Sequence, residues 1–314
     1  MDFEKIVLVT RKTRLEGLVE RFNTVAQARF YIEHSGGNFS QFQREHDVYY
    51  AALDGLRREL EPLLKIHVIE RGFLPNFLFA QTDLVITIGI DGLVANTAKY
   101  LQGQPLVAVN PDPAHIDGIL LPFDVQQALP AVKAVLHGRG RMRRISMAEA
   151  TLNDGQTLLA FNDLFIGVRS HISARYLIEV RDQAEHHSSS GIIVSTGVGS
   201  SGWLSSLFNM ANGMLVGFDE SGKGTAQALP PYHMEWEAER LVFVVREPFV
   251  SKTSSAKIVC GYVTPEIPLV LHSEMPEGGV IFSDGVEADY LAFNAGMIAT
   301  IGLAQKKTHL VVGN

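Results

Sequence analysis

One carboxylate stands in a glycine turn from which it could do chemistry. Asp91 lies in the stretch GIDGL, which follows the apolar run 84–88 and precedes a helical pattern. Gly89 and Gly92 let the backbone turn sharply and approach a ligand, and N–H groups that point outward before a helix bind anions. A carboxylate there repels a bare phosphate, so it would take a proton from a ligand hydroxyl or hold the magnesium of a nucleotide. The alternative is an ordinary turn in which Asp91 caps the helix.

The elements that must position Asp91 alternate between strands and helices in residues 1–140. Val, Ile and Leu dominate the apolar runs, which is typical of a parallel sheet covered by helices on both faces. We therefore predict an α/β N-terminal domain with a parallel sheet, whose ligand site lies beyond the carboxyl ends of the strands. The predicted strands are 5–10, 65–70, 83–89 and 105–110, and the predicted helices are 47–64, 93–102 and 124–138.

The pattern changes after residue 140, because strands then follow one another without intervening helices. Consecutive strands predict a mostly antiparallel, sandwich-like β domain over residues 141–292. One helical stretch, 203–215, interrupts them, and 219–233 has the composition of a loop. The predicted strands are 144–152, 156–168, 174–180, 191–198, 240–247, 257–263, 268–274 and 279–285.

Composition argues against several classes of function. The chain of 314 residues has a net charge of −7, which disfavours binding of nucleic acid through a basic face. An anionic small ligand is compatible with this charge, because backbone N–H groups hold phosphate without bulk positive charge. Cys260 is the only cysteine, so no internal disulfide forms and a cytoplasmic location is expected. We expect neither a signal peptide nor a membrane span.

The order of the motifs resembles the NAD kinase family. That family carries a Gly-Gly-Asp-Gly-Thr turn after a parallel strand, and this chain has GIDGL at 89–93. The family's next strand ends in Val-Asn, as PLVAVN does at 105–110, and an Asn-Asp or Asn-Glu pair follows, as at 162–163. A loop similar to STPTGSTAY is matched by IIVSTGVGSSGW at 192–203, and a late Asp-Gly pair is matched by FSDG at 282–285.

Further segments resemble the mitochondrial-type branch of that family. They follow the order of the branch from near residue 10 to about residue 301. Each segment is short and weakly specific alone, but the set is specific. The segments are TRKTRLE, VNPDP, HIDGILLPF, SSGIIVSTGVGSSGW, REPF and DGVEADYLAFNAGMIATI.

The resemblance implies a fold, a reaction and partners. The fold is an α/β nucleotide-binding domain followed by a β-rich NAD-binding domain, with residues 293–314 returning to the first. The reaction is transfer of phosphate from ATP or polyphosphate to the adenosine ribose 2′-hydroxyl of NAD, which gives NADP, and Mg²⁺ accompanies ATP. The chain would act as a homodimer or a higher homo-oligomer, without nucleic acid or membrane.

By position, the resemblance assigns roles to individual residues. Asp91 matches the general base that orients and deprotonates the ribose hydroxyl, and Asn162 and Asp163 match the pair that hydrogen-bonds the dinucleotide. The remaining substrate-binding residues are Gly92, Ser200, Ser201, Trp203 and Asp284. The residues expected to contact the phosphate donor are Gly89, Arg11, Lys12, Arg14 and Asn110. Metal ligands stay unassigned.

Simpler explanations exist for part of the donor set. A solvated loop after the first strand explains Arg11, Lys12 and Arg14 equally well. The prolines on either side of Asp112 make a rigid turn, which is a full explanation for the segment that begins at Asn110.

Three positions depart from the pattern of the family. Ile90 replaces the second glycine of the turn and places a branched side chain where the backbone would approach phosphate. Leu93 replaces the threonine and removes a hydroxyl, and Ser201 stands where the mitochondrial-type branch usually has lysine. These changes favour binding of NAD over turnover with ATP. The alternative function is therefore a catalytically impaired NAD- or nucleotide-binding regulatory protein; a lipid or sugar kinase has less support.

Overall fold

A computed structural model describes residues 2–218, 229–230 and 232–313 of the chain. Most of the loop that the sequence predicts at 219–233 lies outside the described residues.

The chain forms two compact units. The first unit runs to Arg143 and resumes at Thr308, and the second comprises Arg144–Lys307. The sequence predicts the return to the first unit from residue 293, but the compact unit resumes only at Thr308. The reason is that residues 298–301 pair with a strand of the second unit.

The first unit is built on a parallel sheet, as the sequence predicts. Its strands are β1 (Lys5–Thr10), β2 (Lys65–Glu70), β3 (Asp83–Ile88), β4 (Pro105–Asn110) and β5 (Phe123–Asp124). They lie in the order β4-β3-β1-β2, and every neighbouring pair is parallel. The short β5 also pairs in parallel with β4. All residues of β3 and β4 are buried, as expected for central strands covered on both faces.

Helices flank this sheet. They are α1 (Arg14–Phe22), α2 (Val25–His34), α3 (Phe39–Leu60), α4 (Asp91–Ala98) and α5 (Val125–Leu136). The long α3 packs on the strands through Tyr49, Leu53, Leu56 and Leu60, which recur at helical spacing and share one buried cluster with β1, β3 and β4. This stripe holds the first unit together.

Two helices of the first unit have no counterpart in the sequence prediction. α1 and α2 are short, and each begins after a threonine, Thr13 or Thr24, whose side chain accepts a hydrogen bond from a backbone N–H of the first turn. The following helix, α3, begins at Phe39, before the predicted residue 47. The prediction missed this start because the first turns of α3 are mostly polar.

The second unit contains two sheets that share one core. Its strands are β6 (Met142–Leu152), β7 (Thr157–Ala160), β8 (Asp163–Val168), β9 (Ala174–Val180), β10 (Gln183–Ser189), β11 (Ile192–Ser195), β12 (Leu241–Val245), β13 (Cys260–Val263), β14 (Leu269–Ser273), β15 (Gly279–Ser283), β16 (Val286–Ala292) and β17 (Ile298–Val311), the first and last of which extend into the first unit. One sheet has the order β10-β9-β14-β17, with β6 beside β17 and β7 beside β6. The other has the order β13-β12-β11-β8-β15-β16 and is antiparallel throughout.

Buried side chains of both sheets lie in one apolar cluster. Ile178 of β9 and Ile166 of β8, for example, are both fully buried members of it. Two sheets that cover a common core are typical of a sandwich. The predicted antiparallel, sandwich-like β domain is therefore confirmed. At the other end of β17, His309 and Leu310 pair in parallel with β4 of the first unit.

The single strand predicted at 156–168 is two strands, which belong to different sheets. β7 ends at Ala160 and β8 begins at Asp163. Between them, the N–H groups of Phe161 and Asn162 donate to the carboxylate of Asp284 instead of to a neighbouring strand. These bonds satisfy the backbone at the point where the chain passes from one sheet to the other.

The remaining helix, α6 (Trp203–Gly217), lies in the second unit where the sequence predicts a helix at 203–215. Within the described ranges, no helix is both long enough and apolar enough to cross a membrane.

Candidate functional site

Asp91 is the first residue of α4, and Ile90 is its N-cap. One carboxylate oxygen of Asp91 accepts a hydrogen bond from the N–H of Leu120 at 2.8 Å. The positive end of the helix also favours a negative charge at this position. The second oxygen has no protein partner in the described part of the chain. Asp91 is therefore held in place by one oxygen, and the other remains available to a ligand.

Gly89 is closely approached by two side chains. A Cβ atom at this position would lie 3.0 Å from Cδ2 of Leu93 and 3.3 Å from Cδ of Arg11. At Gly92, by contrast, a Cβ atom would meet no protein atom within 4 Å. The first glycine therefore makes room for the Arg11 side chain, whereas the protein itself does not require the second.

The two residues that depart from the family's turn differ in environment. Leu93 is 1% exposed and packs beneath Gly89, so its side chain is not at the surface of the turn. Ile90 is 40% exposed and lines a cavity. Only Ile90 is therefore placed to meet a ligand.

That cavity lies in the first unit beside the turn, and we name it the arginine cavity. Its volume is about 270 Å³. It is lined by residues that follow β1 and β4 and by the N-terminal half of α3, where the carboxyl ends of parallel strands place a ligand site. The lining residues are Arg11, Arg14, Arg44, Glu45, Tyr49, Ile90, Pro111, Asp112, His115 and Ile116.

Glu45 joins two of the cavity's arginines. Its Oε1 accepts a hydrogen bond from Nη2 of Arg11 at 3.1 Å, and its Oε2 accepts one from Nε of Arg14 at 2.5 Å. Burial acts to raise the pKa of Glu45, but the hydrogen bonds and charges of Arg14 and Arg11 outweigh it and hold the pKa below its usual range. Glu45 is therefore ionised at neutral pH.

Asp112 likewise joins two residues of the cavity lining, Arg44 and His115. Its Oδ2 accepts a hydrogen bond from Arg44 at 3.0 Å, and its Oδ1 lies 3.0 Å from Nδ1 of His115. Burial acts to raise the pKa of Asp112, but the bonds and charges of His115 and Arg44 prevail and the pKa is lowered. These contacts also fasten the segment after β4 to α3.

Two predicted donor residues lie outside this lining. Lys12 pairs with Glu20 at 2.6 Å, and both side chains are exposed. Asn110 is buried and uses its side chain within the turn, because its Nδ2 donates to the carbonyl of Ile116 and its Oδ1 accepts from the N–H of Asp112. Asn110 thus shapes the segment that carries Asp112.

The structure adds Arg44, Glu45 and His115 to the residues that the sequence singled out. A helix that leads into a parallel strand has its N-terminal turns beside the carboxyl ends of the sheet. Arg44 and Glu45 lie in those turns of α3, so this rule could have found them. The prediction missed them because it began the helix at residue 47.

In the second unit, the structure brings Asp284 together with the predicted Asn162–Asp163 pair. The carboxylate of Asp284 accepts hydrogen bonds from the N–H groups of Phe161 at 3.0 Å, Asn162 at 2.6 Å and Asp163 at 3.3 Å. Its backbone N–H in turn donates to the carbonyl of Asp163. Asp284 therefore fixes the backbone that presents Asn162 and Asp163.

Asp163 is half-buried beside a second carboxylate. Burial, and then the charge of Asp284, raises the pKa of Asp163 to about 7. No group of the described residues donates a hydrogen bond to its side chain. Asp163 is therefore poised to change its charge near neutral pH.

The loop from Ser195 to Ser200 packs tightly against this pair. A Cβ atom at Gly199 would lie 2.1 Å from the carbonyl oxygen of Asn162, so the position admits only glycine. Ser200 is fully buried; its hydroxyl donates to the carbonyl of Gly197 and accepts from the N–H of Met234. The hydroxyl of Ser200 therefore holds the loop together and is not presented to a ligand.

Trp203 lines a second cavity, which we name the tryptophan cavity, of about 740 Å³. Its indole stacks on Phe165, with ring centroids 5.9 Å apart, and the guanidinium of Arg246 lies 5.5 Å from the indole centre. Arg169 lies over Tyr290 in the same cavity at 3.6 Å. Aromatic faces with two adjacent cations suit a planar ligand that carries negative charge.

Ser201, two residues before Trp203, is exposed and donates to the carbonyl of Val198.

The described residues hold no group of three or more His, Cys, Asp and Glu side chains with the geometry of a metal site.

Curated sequence relatives of this chain are NAD kinases, although no family model matches it. The NAD kinase of Caldanaerobacter subterraneus subsp. tengcongensis is 29% identical over 143 residues, which are 43% of this chain and 49% of that protein. The NAD kinase of Heliobacterium modesticaldum is 31% identical over 131 residues, which are 39% of this chain and 45% of that protein. The chain thus spans about half the length of the curated relatives it matches.

Solved NAD kinase structures share the fold over nearly the whole chain. A yeast NADH kinase in complex with NADH matches with a TM-score of 0.63 at 13% identity, covering 100% of this chain and 85% of that one. An NAD kinase from Archaeoglobus fulgidus in complex with ATP matches with a TM-score of 0.56 at 15% identity, covering 98% and 93%. The fold is that of NAD kinases, and the sequence relatives support a relationship to that family.

Proposed function

We propose that this protein, whose fold is that of NAD kinases, is an NAD kinase-like phosphotransferase of the mitochondrial type. It transfers a phosphate from ATP or polyphosphate to the adenosine ribose 2′-hydroxyl of NAD and produces NADP. The observation that carries this proposal is the arginine cavity, whose wall includes Ile90, the residue directly before Asp91. Phosphoryl transfer depends mainly on positioning and on cations around the phosphates, and this cavity supplies cations next to a carboxylate.

Asp91 is the general base of the proposed reaction. An alcohol is a poor nucleophile at neutral pH, and a positioned carboxylate accelerates such a reaction by roughly 10²–10⁴-fold. The N–H of Leu120 holds one oxygen of Asp91, so the other oxygen can accept the proton of the ribose hydroxyl. The rigid end of β3 limits the movement of this carboxylate.

The phosphate donor is proposed to bind in the arginine cavity. Nε of Arg11 is buried next to Gly89 and has no protein partner in the described ranges, so a shift of this side chain towards a phosphate oxygen would gain a hydrogen bond. Mg²⁺ would enter with ATP, neutralise the phosphate charge and keep most of its ligands from phosphate and water.

NAD is proposed to use the residues of the second unit that remain accessible. Trp203 and Arg246 would hold the adenine and an adjacent phosphate, and Asn162 and Asp163 would hydrogen-bond the dinucleotide. Ser200 and Asp284 are proposed to hold these residues in position rather than to contact NAD, because their polar side-chain atoms already bond to the backbone.

The proposal includes a cytoplasmic homodimer or larger homo-oligomer. The single cysteine, Cys260, is exposed and free, which fits a reducing compartment. The chain mass is 34.5 kDa. Light scattering at micromolar protein that returns only this mass would contradict the proposed assembly.

Replacement of the base tests the proposed function. Purified protein with NAD, Mg²⁺ and either ATP or polyphosphate is expected to form NADP. Asp91→Asn keeps the shape of the side chain and removes its basicity, so we expect NAD binding to persist and the rate to fall by at least about 10²-fold. Asp117→Asn removes an exposed carboxylate from the same segment as Leu120 and serves as the control. An Asp91→Asn protein as fast as the parent would exclude Asp91 as the base.

A nucleotide-binding regulatory protein without turnover is the second candidate. Ile90 favours it, because this branched side chain lies in the wall of the cavity where the family has glycine. Calorimetric binding of NAD without NADP formation from either donor would support this candidate over the kinase.

A further inference from the structure

The arginine cavity contains two negative charges of the protein itself. Glu45 engages Arg11 and Arg14 with its two oxygens, and Asp112 engages Arg44 and His115 in the same way. Each carboxylate has the charge and the paired oxygens of one phosphate group, and it lies where a phosphate would bind arginine. In the free protein, both cationic positions are therefore already paired with a carboxylate, and the position of Arg11 and Arg14 keeps one net positive charge.

Arg11, which lines the cavity, has one hydrogen-bond donor without a partner among the described residues. The side chain of Arg11 is 12% exposed, and its Nε atom has no hydrogen-bond partner among the described residues. A buried guanidinium N–H without a partner is costly, because it has lost water and gained nothing in return. The atom lies beside Gly89, where a Cβ atom would be 3.4 Å from it. An anion in the cavity would give this donor a partner only after the Arg11 side chain shifts, because the atom has no accessible surface in the free protein.

We propose that Glu45 and Asp112 are resident counter-anions in two phosphate subsites, so that the cavity selects ligands with an oligophosphate chain over single phosphates. The assignment to the donor of phosphoryl transfer rests on the proposed function, but the selection of oligophosphates does not.

Competition explains the selection. A single phosphate must displace a carboxylate from one subsite, and it exchanges one anion for another at little gain. A linked chain that enters the first subsite meets the second at high effective concentration, so its second displacement has a much smaller entropic cost. The apolar wall formed by Ile90, Pro111 and Ile116 offers no further charge, which leaves the two subsites as the source of affinity.

Calorimetry with sodium tripolyphosphate and with orthophosphate, without NAD, tests this inference on the full chain. The parent is expected to bind tripolyphosphate at least about tenfold more tightly than orthophosphate. Glu45→Gln keeps the size of the side chain and removes the competing charge, so tripolyphosphate should bind about fivefold more tightly. Glu61→Gln removes an exposed, arginine-paired carboxylate at the far end of α3 and should change the affinity less than about twofold.

If Glu45→Gln binds tripolyphosphate as tightly as the parent or more weakly, the inference is overturned. Glu45 would then be a structural residue that positions the arginines. If the variant does not fold, crystals of the parent soaked with tripolyphosphate decide the matter. Phosphate oxygens should replace the Glu45 carboxylate at Arg14, and a carboxylate that stays in place beside bound phosphate would also overturn it.

The outcome is separable from that of the proposed function. A protein that forms NADP but shows no gain in Glu45→Gln refutes this inference alone. A protein that forms no NADP but shows the gain refutes the kinase proposal alone.

Discussion

The arginine cavity of the first unit and the Asn162–Asp163 region of the second use charged side chains in opposite ways. In the cavity, the side chains of Arg14 and Glu45 bond to each other near the surface. In the second unit, the carboxylate of Asp284 bonds to three backbone N–H groups at the junction between two sheets. Under our proposal, the cavity exchanges these side-chain partners for a ligand, whereas the region around Asp284 cannot lose this carboxylate without losing local structure.

This difference has an energetic consequence. Exposed ion pairs contribute little to stability, typically about 0–1 kcal/mol. Removal of a partner from buried backbone groups costs about 1–3 kcal/mol for each group left unsatisfied. Substitutions around Asp284 should therefore act mainly on folding, and substitution of the exposed Arg14 mainly on ligand affinity.

The largest effect is expected at Gly199. An alanine Cβ atom there would lie 2.1 Å from the carbonyl oxygen of Asn162 and 2.7 Å from the hydroxyl of Ser195, so the loop must move. We expect Gly199→Ala to lower the free energy of unfolding by about 3 kcal/mol, measured by urea denaturation. Gly213→Ala, in α6 with no atom within 4 Å, is the matched control and should be neutral or stabilising. Equal stability of Gly199→Ala and the parent would contradict the view that substitutions in this region of the second unit act on folding.

The next effect depends on pH and concerns Asp163. Its pKa is about 7 in the folded protein against an ordinary value of 3.8. Between these values the folded state holds a proton that the unfolded chain has lost, so stability is full below about pH 4 and is lost as the pH rises through 7. Asp163→Asn removes the charge, and we expect it to be more stable than the parent by about 2 kcal/mol at pH 8, with no gain at pH 4.

Urea denaturation of both proteins from pH 4 to pH 8 checks this prediction. Asp182→Asn, an exposed acid in the turn between β9 and β10, controls for the change in net charge. A gain for Asp163→Asn that is the same at every pH would show that burial of this carboxylate does not cause it.

The smallest effect is expected at Arg14, whose side chain is 61% exposed. Arg14→Gln should change the free energy of unfolding by less than about 0.5 kcal/mol, because its ion pair is near the surface. Tripolyphosphate should bind about fivefold more weakly, since one cation of the cavity is lost. Arg58→Gln, an exposed arginine near the end of α3, is the control. A drop in stability without a loss of affinity would reverse the contrast between the two regions.

The strands of the first unit were well predicted from the sequence because central parallel strands are continuous apolar runs. β1, β2 and β4 have the predicted bounds, and β3 ends one residue earlier than predicted. α1 and α2 were missed, because short helices with mixed composition depend on tertiary packing more than on a clear period. β10 was missed for the related reason that QAEHHSS lacks an apolar alternation.

Those residues of the candidate site that directly follow a predicted strand could be predicted from the sequence. Arg11 and Arg14 come just after a buried strand, so their place at the carboxyl edge of the sheet follows from the strand itself. Arg44 reaches the same cavity from a helix that is distant in sequence. The prediction lacked Arg44 because it began α3 at residue 47, after a polar first stretch that shows no clear apolar period.

By itself, the sequence determined which residues stand in the turn, because a strand followed by Gly89 and Asp91 leaves the backbone few conformations. The sequence also determined that an α/β domain precedes a β domain. The spacing of apolar residues differs between helices and strands, because the side-chain directions of each element are fixed by its local geometry. Only the tertiary structure decided that Leu93 is buried while Ile90 faces the cavity. It likewise decided that Glu45 pairs with Arg11 and that Asp284 holds the backbone before β8. Burial and pairing depend on residues that are far apart in the chain, and their free energies exist only after the elements have packed.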